Sequence, residues 1–275
     1  MKPPAFEYLA PSTLEQAVAA LGAGDAKILA GGQSLVPMLN FRLQAPSLLV
    51  NITRIPGLDH IVDWPEGGDG GLRIGALTRH HGLETSALVH DRFPVLHAAM
   101  AEVAHLAIRN RGTIGGSLCH GDPAAELPGM AVLLQAQLQT TQRTIPAAEF
   151  YDGALSTILA ADEILTEILL PALPPGTGWG FEEFARRSGD FALAAVGVLI
   201  GAEVRIVAMG ANDIPIRLAK AEVLFNGPSD IDAVAEAAGA EVSPESDLHG
   251  SADYRRHLVK VLTRRALRSA CERAA

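Results

Sequence analysis

Two glycine pairs constrain this chain more than any other feature of its sequence. The first occurs in residues 30–35, AGGQSL, and the second in residues 109–118, RNRGTIGGSL. Both pairs interrupt apolar segments, and both are followed, after at most one residue, by Ser-Leu. Because glycine lacks Cβ, it reaches positive φ and lets backbone N–H groups converge on a ligand. The repeated pattern predicts two tight loops that hold one ligand from two sides.

The elements around the first pair favour a phosphate site. Residues 27–30 read as a short buried strand, and Ser34 is placed to cap a helix over residues 35–43, with Pro37 in its first turn. A glycine-rich loop that opens a helix offers free N–H groups and the positive end of the helix dipole, which bind phosphate without a cationic side chain. The two loops could together surround a diphosphate. For either pair alone, a simple tight turn remains the alternative.

Other phosphate sites and hydrolytic sites are disfavoured. The chain contains neither G-x-x-x-x-G-K-[ST] nor G-x-G-x-x-G, the motifs of P-loop and Rossmann sites. It also lacks H-E-x-x-H and G-x-S-x-G. Cys119-His120 suggests a nucleophile–base pair, but neighbours in an extended stretch point to opposite faces. The two cysteines, Cys119 and Cys271, are too few to ligate an iron–sulfur cluster on their own.

Composition narrows the class of protein further. The 275 residues suffice for one large or two ordinary domains. A formal net charge of −9 argues against general nucleic-acid binding, which needs a basic face. The start of the chain shows no signal-peptide pattern, and its longest uncharged apolar run is too short to span a bilayer. We therefore expect a protein of the cytoplasm, with no transmembrane segment.

Local signals place the other elements of the first two thirds of the chain. Ser12 and Glu15 form the pattern of a capping box before a helix, and Thr78 can cap a short helix. Asp122, followed by Pro123, is expected to cap a helix that runs to about residue 134. Strands are predicted over 48–52, 60–63, 72–77 and 136–141, the middle two pairing around a polar loop at 65–71.

The pattern changes after a proline- and glycine-rich linker at residues 171–178. Strands are predicted first, over 180–186, 192–200 and 203–210, and helices follow over 217–224, 229–238 and 251–274. This order suggests a separate α+β domain. The last helix carries seven cations, which form either a solvated face or a docking face: Arg255, Arg256, Lys260, Arg264, Arg265, Arg268 and Arg273.

Further motifs occur in an order typical of one protein family. Besides the two glycine segments, they are residues 121–123 (GDP), 162–168 (DEILTEI), 186–192 (RRSGDFA) and 246–256 (SDLHGSADYRR). Together they resemble the FAD-binding medium subunit of molybdenum hydroxylases, as in aerobic carbon monoxide dehydrogenase and the xanthine dehydrogenase family. The resemblance covers the whole chain. It implies an α+β fold with two domains. Residues 1–175 would form a vanillyl-alcohol-oxidase-type (PCMH-type) FAD-binding domain, with subdomains at about 1–55 and 56–175. Residues 179–275 would form a C-terminal domain of the carbon monoxide dehydrogenase flavoprotein type.

The resemblance also implies which residues bind the cofactor. The two glycine segments would hold the FAD diphosphate, and Asp122 and Glu126 would contact its ribityl or phosphate region. Phe191 would lie against the isoalloxazine, although a core position is its ordinary alternative. No catalytic residue and no metal site is expected in this chain. The complete set of expected cofactor contacts is Ile28, Leu29, Ala30, Gly31, Gly32, Gln33, Ser34, Leu35, Val103, Gly112, Thr113, Gly115, Gly116, Ser117, His120, Asp122, Glu126, Ile164, Leu165 and Phe191.

Four positions depart from the pattern of the family. Gln33 stands where covalent flavoproteins of the wider fold often have histidine, so FAD is expected to be non-covalent. Glu182 and Glu183 occupy a stretch where many relatives have a lysine, which puts the flavin potential or the choice of acceptor in doubt. Glu126 replaces the usual aspartate and is expected to keep its role at longer reach, although a solvated side chain is its alternative.

The implied function is electron transfer within a three-component enzyme. A large molybdenum subunit would oxidise the substrate and a small subunit with [2Fe-2S] clusters would pass electrons on. FAD on this chain would collect the electrons for an external acceptor, in a dimer of heterotrimers. Two alternatives stay open: a stand-alone flavin oxidase or reductase of the same fold, and an interaction subunit without flavin.

Overall fold

A computed structural model describes residues 1–64 and 70–274 of the chain. Residues 65–69 of the predicted polar loop lie outside the described residues. The N-terminal unit is a three-stranded parallel sheet, in the order β1-β3-β2, with two helices. Its elements are β1 (Glu7–Leu9), α1 (Leu14–Leu21), β2 (Ala26–Leu29), α2 (Leu35–Asn40) and β3 (Leu48–Asn51). The predicted strand at 27–30 and helix at 35–43 are thus present, the helix ending earlier than expected.

The second unit is built on an antiparallel sheet of five strands in the order β4-β5-β10-β6-β7. The predicted pairing of the strands at 60–63 and 72–77 is confirmed by β4 and β5. The strands of this unit are β4 (Ile61–Trp64), β5 (Gly71–Gly75), β6 (Gln137–Thr140), β7 (Thr144–Pro146), β8 (Tyr151–Gly153), β9 (Ser156–Thr157) and β10 (Leu165–Leu170). Its helices are α3 (His80–Thr85), α4 (Ala87–Arg92), α5 (Pro94–Glu102), α6 (Leu106–Arg109), α7 (Ile114–His120) and α8 (Glu126–Leu133).

The C-terminal unit is a four-stranded antiparallel sheet followed by helices, as the order of its predicted elements indicated. The helix expected over 217–224 is shorter, because a strand pairs there first. The elements are β11 (Gly178–Ala185), β12 (Ala192–Ile200), β13 (Val204–Met209), β14 (Ile216–Arg217), α9 (Ala219–Glu222), α10 (Ile231–Glu241) and α11 (Ala252–Arg273).

Both faces of the C-terminal sheet are buried, and this positions it against the second unit. On one face, Val196 and Val198 of β12 pack in a core with α10 and α11. On the other, Ala195 and Leu199 join the core that contains α8 of the second unit. Buried apolar surface of this kind is the main stabilising contribution in folding. The C-terminal unit therefore cannot move away from the second unit without exposing part of the main core.

Three helix caps predicted from the sequence were wrong in detail. The cap of α1 is Thr13, whose side chain accepts from the backbone N–H of Gln16, and not Ser12. Thr78 donates to the carbonyl of His60 instead of capping α3. Asp122 closes a turn by accepting from the N–H of Ala124, at 2.9 Å, and α8 begins only at Glu126. Thr78 is engaged by a tertiary contact, whereas the caps of α1 and α8 lie one and three residues later than expected.

The cations of α11 are largely engaged by neighbouring groups. Lys260 pairs with Glu236 at 2.6 Å and Arg264 with Asp232 at 2.5 Å, both across to α10. The guanidinium of Arg273 lies 3.8 Å from the ring centre of Trp179. Exposed pairs of this kind stabilise a fold only weakly. They nevertheless favour the solvated-face interpretation of α11 over the docking one.

Candidate functional site

The first glycine segment forms a row of unused hydrogen-bond donors. Within the described part of the chain, the backbone N–H groups of residues 31–35 have no protein acceptor. Gly32 has a φ of +73°, which turns the chain so that successive N–H groups can face one side. Ser34 caps α2 only with its backbone, because its hydroxyl makes no cap hydrogen bond. The hydroxyl and five N–H groups are thus available to an anion.

The two glycine segments touch each other. A Cβ added to Gly31 would lie 2.3 Å from the carbonyl oxygen of Arg111 and 2.9 Å from the Cα of Gly112. A Cβ on Gly116 would lie 4.0 Å from that of Ala30. The contact at Gly31 is backbone against backbone, so only glycine fits there. The prediction that both segments lie at one place is consistent with this contact.

The second segment differs from the expected loop. Gly115 and Gly116 lie in the first turn of α7, whose cap, Thr113, accepts from the N–H of Gly116 at 3.1 Å. The N–H of Gly115 donates to the carbonyl of Ala76 at 2.9 Å. A Cβ on Gly115 would meet Ala76 at 2.7 Å. Gly115 therefore serves close packing on Ala76, and the N–H groups of both glycines are already used.

Arg109 is a site residue whose role the sequence did not reveal. Its Nη1 donates to the carbonyls of Val103 and Ala104, at 2.9 and 2.7 Å, and its Nε contacts Glu84 at 3.0 Å. Ala104 has a φ of +44°, an unfavourable conformation for a residue with a Cβ. Arg109 thus holds the strained segment that leads from α5 to the second glycine segment.

Two carboxyls with raised pKa values, those of the buried Glu126 and the half-buried Glu183, interact electrostatically. Glu126 is 7% exposed, and its side chain reaches no donor of another residue within the described chain. Burial raises its pKa to about 7, with smaller contributions from Glu102 and Asp122. Burial likewise raises the pKa of Glu183 to about 8, with Glu126 and Glu102 adding to the shift. The solvated alternative for Glu126 is wrong, and an unpaired buried carboxyl suits a ligand hydroxyl.

Replacement of Glu183 by glutamine is expected to change how stability depends on pH. Because the folded pKa values are raised, the native protein holds protons that the unfolded chain releases near pH 4.5. The free energy of unfolding should therefore fall as pH rises from about 5 to about 8. Glu183→Gln should lessen that fall in the flavin-free protein, measured by urea unfolding at several pH values. Glu182→Gln is the control, and an equal slope in wild type and Glu183→Gln would contradict the expectation.

The turn that carries Phe191 lies at the surface. Phe191 is 67% exposed, so the alternative that it belongs to the core is wrong. The turn rests on His105, because a Cβ on Gly189 would lie 2.6 Å from the His105 ring. His105 follows the segment held by Arg109. This contact brings the Phe191 turn beside the chain that leads to the second glycine segment.

Several of the predicted contacts are buried in a core or lie within regular secondary structure. Ile164 is 1% exposed and Leu165 is 3% exposed, and both pack in cores; Val103 is also buried. Ile28 and Leu29 are half-buried in β2. Leu35 begins α2, Ser117 lies within α7 and His120 ends α7. Burial lowers the pKa of His120 and raises that of Cys119 to about 12, so the thiol is not a ready nucleophile.

No metal site or membrane-spanning helix is found in the described residues. No group of three or more His, Cys, Asp or Glu side chains there could hold a metal ion. Across the same residues, every helix is too short or too polar to cross a bilayer. A cavity of about 530 Å³ lies at the linker, beside Pro174, Trp179 and Arg273. Of its two arginines, Arg273 is stacked on Trp179 and Arg92 is paired with Asp63, so the glycine segments remain the candidate site.

Comparison with known families matches both parts of the chain. Residues 4–173 match the family described as the FAD binding domain in molybdopterin dehydrogenase. Residues 179–270 match the CO dehydrogenase flavoprotein C-terminal domain. The sequence matched by the first model includes both glycine segments, Asp122 and Glu126. The turn that carries Phe191 lies in the second matched region.

Individual relatives match over nearly their full length. The 6-hydroxypseudooxynicotine dehydrogenase complex subunit alpha of Paenarthrobacter nicotinovorans is 40% identical, over 100% of this chain and 97% of its own length. The carbon monoxide dehydrogenase medium chain of Hydrogenophaga pseudoflava is 36% identical over 100% of both chains. A solved structure of carbon monoxide dehydrogenase from H. pseudoflava matches with a TM-score of 0.94 and 37% identity, over 100% of both chains. The chain therefore belongs to the FAD-binding medium subunits of molybdenum hydroxylase-type oxidoreductases.

Proposed function

We propose that this chain transfers electrons within a heteromeric molybdenum hydroxylase, taking them from an iron–sulfur subunit and passing them to an external acceptor. Bound FAD would supply the chemistry, since it accepts and donates both one and two electrons. The chain's own task is to bind, orient and tune the cofactor. We place the complex in the cytoplasm and expect a large molybdenum subunit, a small iron–sulfur subunit and an assembly of two such heterotrimers.

The observation that carries this proposal is the row of free N–H groups at residues 31–35. Such a row suits the oxygens of a diphosphate, because each oxygen needs a hydrogen-bond donor. Glycine residues also leave space for the diphosphate to approach the backbone. The second glycine segment would contribute shape instead of N–H donors, by letting α7 approach Ala30 and Gly31 closely. Glu126 would accept from a hydroxyl of the ribityl chain. The described residues thus offer a place for the diphosphate and for the ribityl chain of FAD.

Non-covalent attachment is supported by the position of Gln33. Its Nε2 donates to the carbonyl of Gly31 at 3.1 Å, so the side chain braces its own loop. An amide also lacks the nucleophilic nitrogen with which a histidine bonds to a flavin. Acid precipitation should therefore release all of the flavin into the supernatant, where its absorbance can be measured. Flavin that stays with the precipitate would contradict non-covalent binding.

The proposal is tested by purifying the chain alone and with its neighbours from the native host. We expect the chain to bind one FAD and to co-purify with a larger and a smaller chain. In the complex, substrate should bleach the flavin absorbance, whereas the isolated chain should not respond to that substrate. Turnover by the isolated chain would instead favour a stand-alone oxidase. A colourless chain that takes up no added FAD would favour an interaction subunit without flavin.

A further inference from the structure

Arg255 is the one buried lysine or arginine among the described residues. It lies in the first turn of α11 and is 8% exposed. Its Nη2 pairs with Asp247 Oδ2 at 2.7 Å, and Asp247 is itself held by the N–H groups of His249 and Gly250. A buried guanidinium is costly unless its fork of donors is fully used. The remaining hydrogen-bond partners of Arg255 therefore show which parts of the fold this side chain holds together.

Those partners are two backbone carbonyls at the site end of the C-terminal sheet. Nη1 of Arg255 donates to the carbonyl of Leu193 at 2.7 Å and to that of Gly210 at 2.9 Å. Leu193 lies at the start of β12, two residues after Phe191, and Gly210 directly follows β13. One side chain thus fixes the spacing of two adjacent strand ends.

Gly210 extends this connection into the second unit. Its N–H donates to the carbonyl of Pro123 at 2.8 Å, and its φ of +71° lets its N–H and carbonyl serve both partners. Pro123 directly follows Asp122, a predicted cofactor contact. A continuous path of hydrogen bonds therefore runs from the Asp122 turn through Gly210 and Arg255 to Leu193.

The Phe191 turn is also held at its other end by the segment around Arg255. Residues 186–191 connect β11 to β12, and Ala185 pairs with Ala192 where the turn begins and ends. The ring of Tyr254 meets that of Phe184 edge to face, with centres 6.3 Å apart. Arg186 contacts the ring of His249 at 3.1 Å. Both ends of the turn are therefore held from residues 249–255, while Phe191 itself stays exposed.

We propose that Arg255 is a positioning residue for the flavin, which sets where the Phe191 turn stands relative to the Asp122 turn. This inference rests on the proposed function, with Phe191 and Asp122 as the expected contacts of their two turns with bound FAD. Arginine is required because its planar fork reaches two carbonyls and a carboxylate together, whereas the single ammonium of lysine cannot reproduce that geometry. Arg255 acts through Phe191 and does not itself touch the cofactor.

The chain offers a matched control in the next residue. Arg256 lies on the same turn of α11, but its side chain is 41% exposed and, within the described residues, its one ion pair is with Asp253, at 2.9 Å. We compare Arg255→Lys, Arg256→Lys, Phe191→Ala and the double variant of Arg255→Lys with Phe191→Ala. FAD is titrated into each flavin-free full-length chain, with the Kd taken from flavin fluorescence. The visible circular dichroism of bound FAD reports its orientation, and melting of the flavin-free chains reports stability separately.

Arg255→Lys is expected to raise the Kd for FAD by about tenfold and to change the visible circular dichroism, while Arg256→Lys changes neither. In the Phe191→Ala background the same substitution should have a much smaller effect, because the residue it positions is gone. Additive effects of the two substitutions would overturn the inference. So would a lower melting temperature with an unchanged Kd and spectrum, which is the result of a merely structural role.

The same FAD titration distinguishes failure of the proposed function from failure of the positioning role of Arg255. If wild type itself binds no FAD, the proposed function fails. If wild type binds FAD and Arg255→Lys matches it, only the positioning role fails. Should Arg255→Lys not fold, Asp247→Asn replaces it, since this change leaves both carbonyl contacts in place and loosens the guanidinium from its carboxylate. The same two readouts and the same double-variant comparison then decide the question.

Discussion

Gly31→Ala is expected to abolish retention of FAD. The added Cβ would lie 2.3 Å from the carbonyl oxygen of Arg111, 2.9 Å from the Cα of Gly112 and 3.0 Å from the carbonyl carbon of Arg111. All three atoms belong to the backbone, so no side-chain rotation can relieve the overlap. The two glycine segments must separate, and the row of free N–H groups then moves away from α7. We expect the Kd for FAD to rise by about 100-fold or more, equivalent to about 2.7 kcal/mol.

The measurement is a fluorescence titration of FAD into the flavin-free chain, with Gly153→Ala as the matched control. A Cβ on Gly153 meets nothing within 4 Å, so this variant adds the same methyl group without a clash. Circular dichroism in the far ultraviolet shows that Gly31→Ala remains folded. An FAD affinity equal to that of the control would mean that residues 31–35 form a turn without a role in binding.

The first glycine segment could be predicted from sequence because its signals are local. The strand β2, the glycine pair and the start of α2 follow one another directly, and each has its own residue pattern. The second segment could not, since its first glycine is explained by a distant residue. Gly115 is required by the approach of Ala76, which is almost 40 positions earlier in the chain and brought there by the antiparallel sheet. The Gly-Gly pattern is the same, but one pair frees N–H groups and the other lets a helix pack.

The carboxyls of Glu126 and Glu183 show a second limit of sequence reasoning. In the sequence, Glu182 and Glu183 together are only a departure from a lysine of many relatives, and Glu126 is only a longer form of aspartate. Their raised pKa values depend on burial where the C-terminal sheet packs near α8, which no local pattern contains. A neutral carboxyl at neutral pH in place of a cation would remove positive charge from this side of the site. Lower positive charge near a flavin disfavours its reduced, anionic form, so we expect a lower flavin potential than in relatives with lysine.

The packing of α11 on the C-terminal sheet leads to the largest expected effect on stability. Strand β11 passes directly beneath this helix at Gly180, where a Cβ would lie 2.1 Å from the carbonyl oxygen of Ala266 and 2.8 Å from its carbonyl carbon. Gly178 meets Ala270 one helical turn further on in the same way. Glycine at these two positions lets backbone touch backbone, which places α11 close enough for Leu262 and Leu267 to fill the core.

Gly180→Ala is therefore expected to lower the free energy of unfolding by about 3 kcal/mol and the melting temperature by about 10 °C. The helix must move outward along its length, since its rigid backbone cannot bend around one methyl group, and this opens gaps beside Leu262 and Leu267. Thermal unfolding of the flavin-free chain measures the effect, with Gly227→Ala as the control because a Cβ there meets nothing within 4 Å. Equal melting of both variants would show that α11 can lift from β11 at little cost.

Because both faces of the C-terminal sheet are buried, we expect Gly180→Ala to unfold in one transition of the whole chain. An early partial transition would instead show the C-terminal unit unfolding alone.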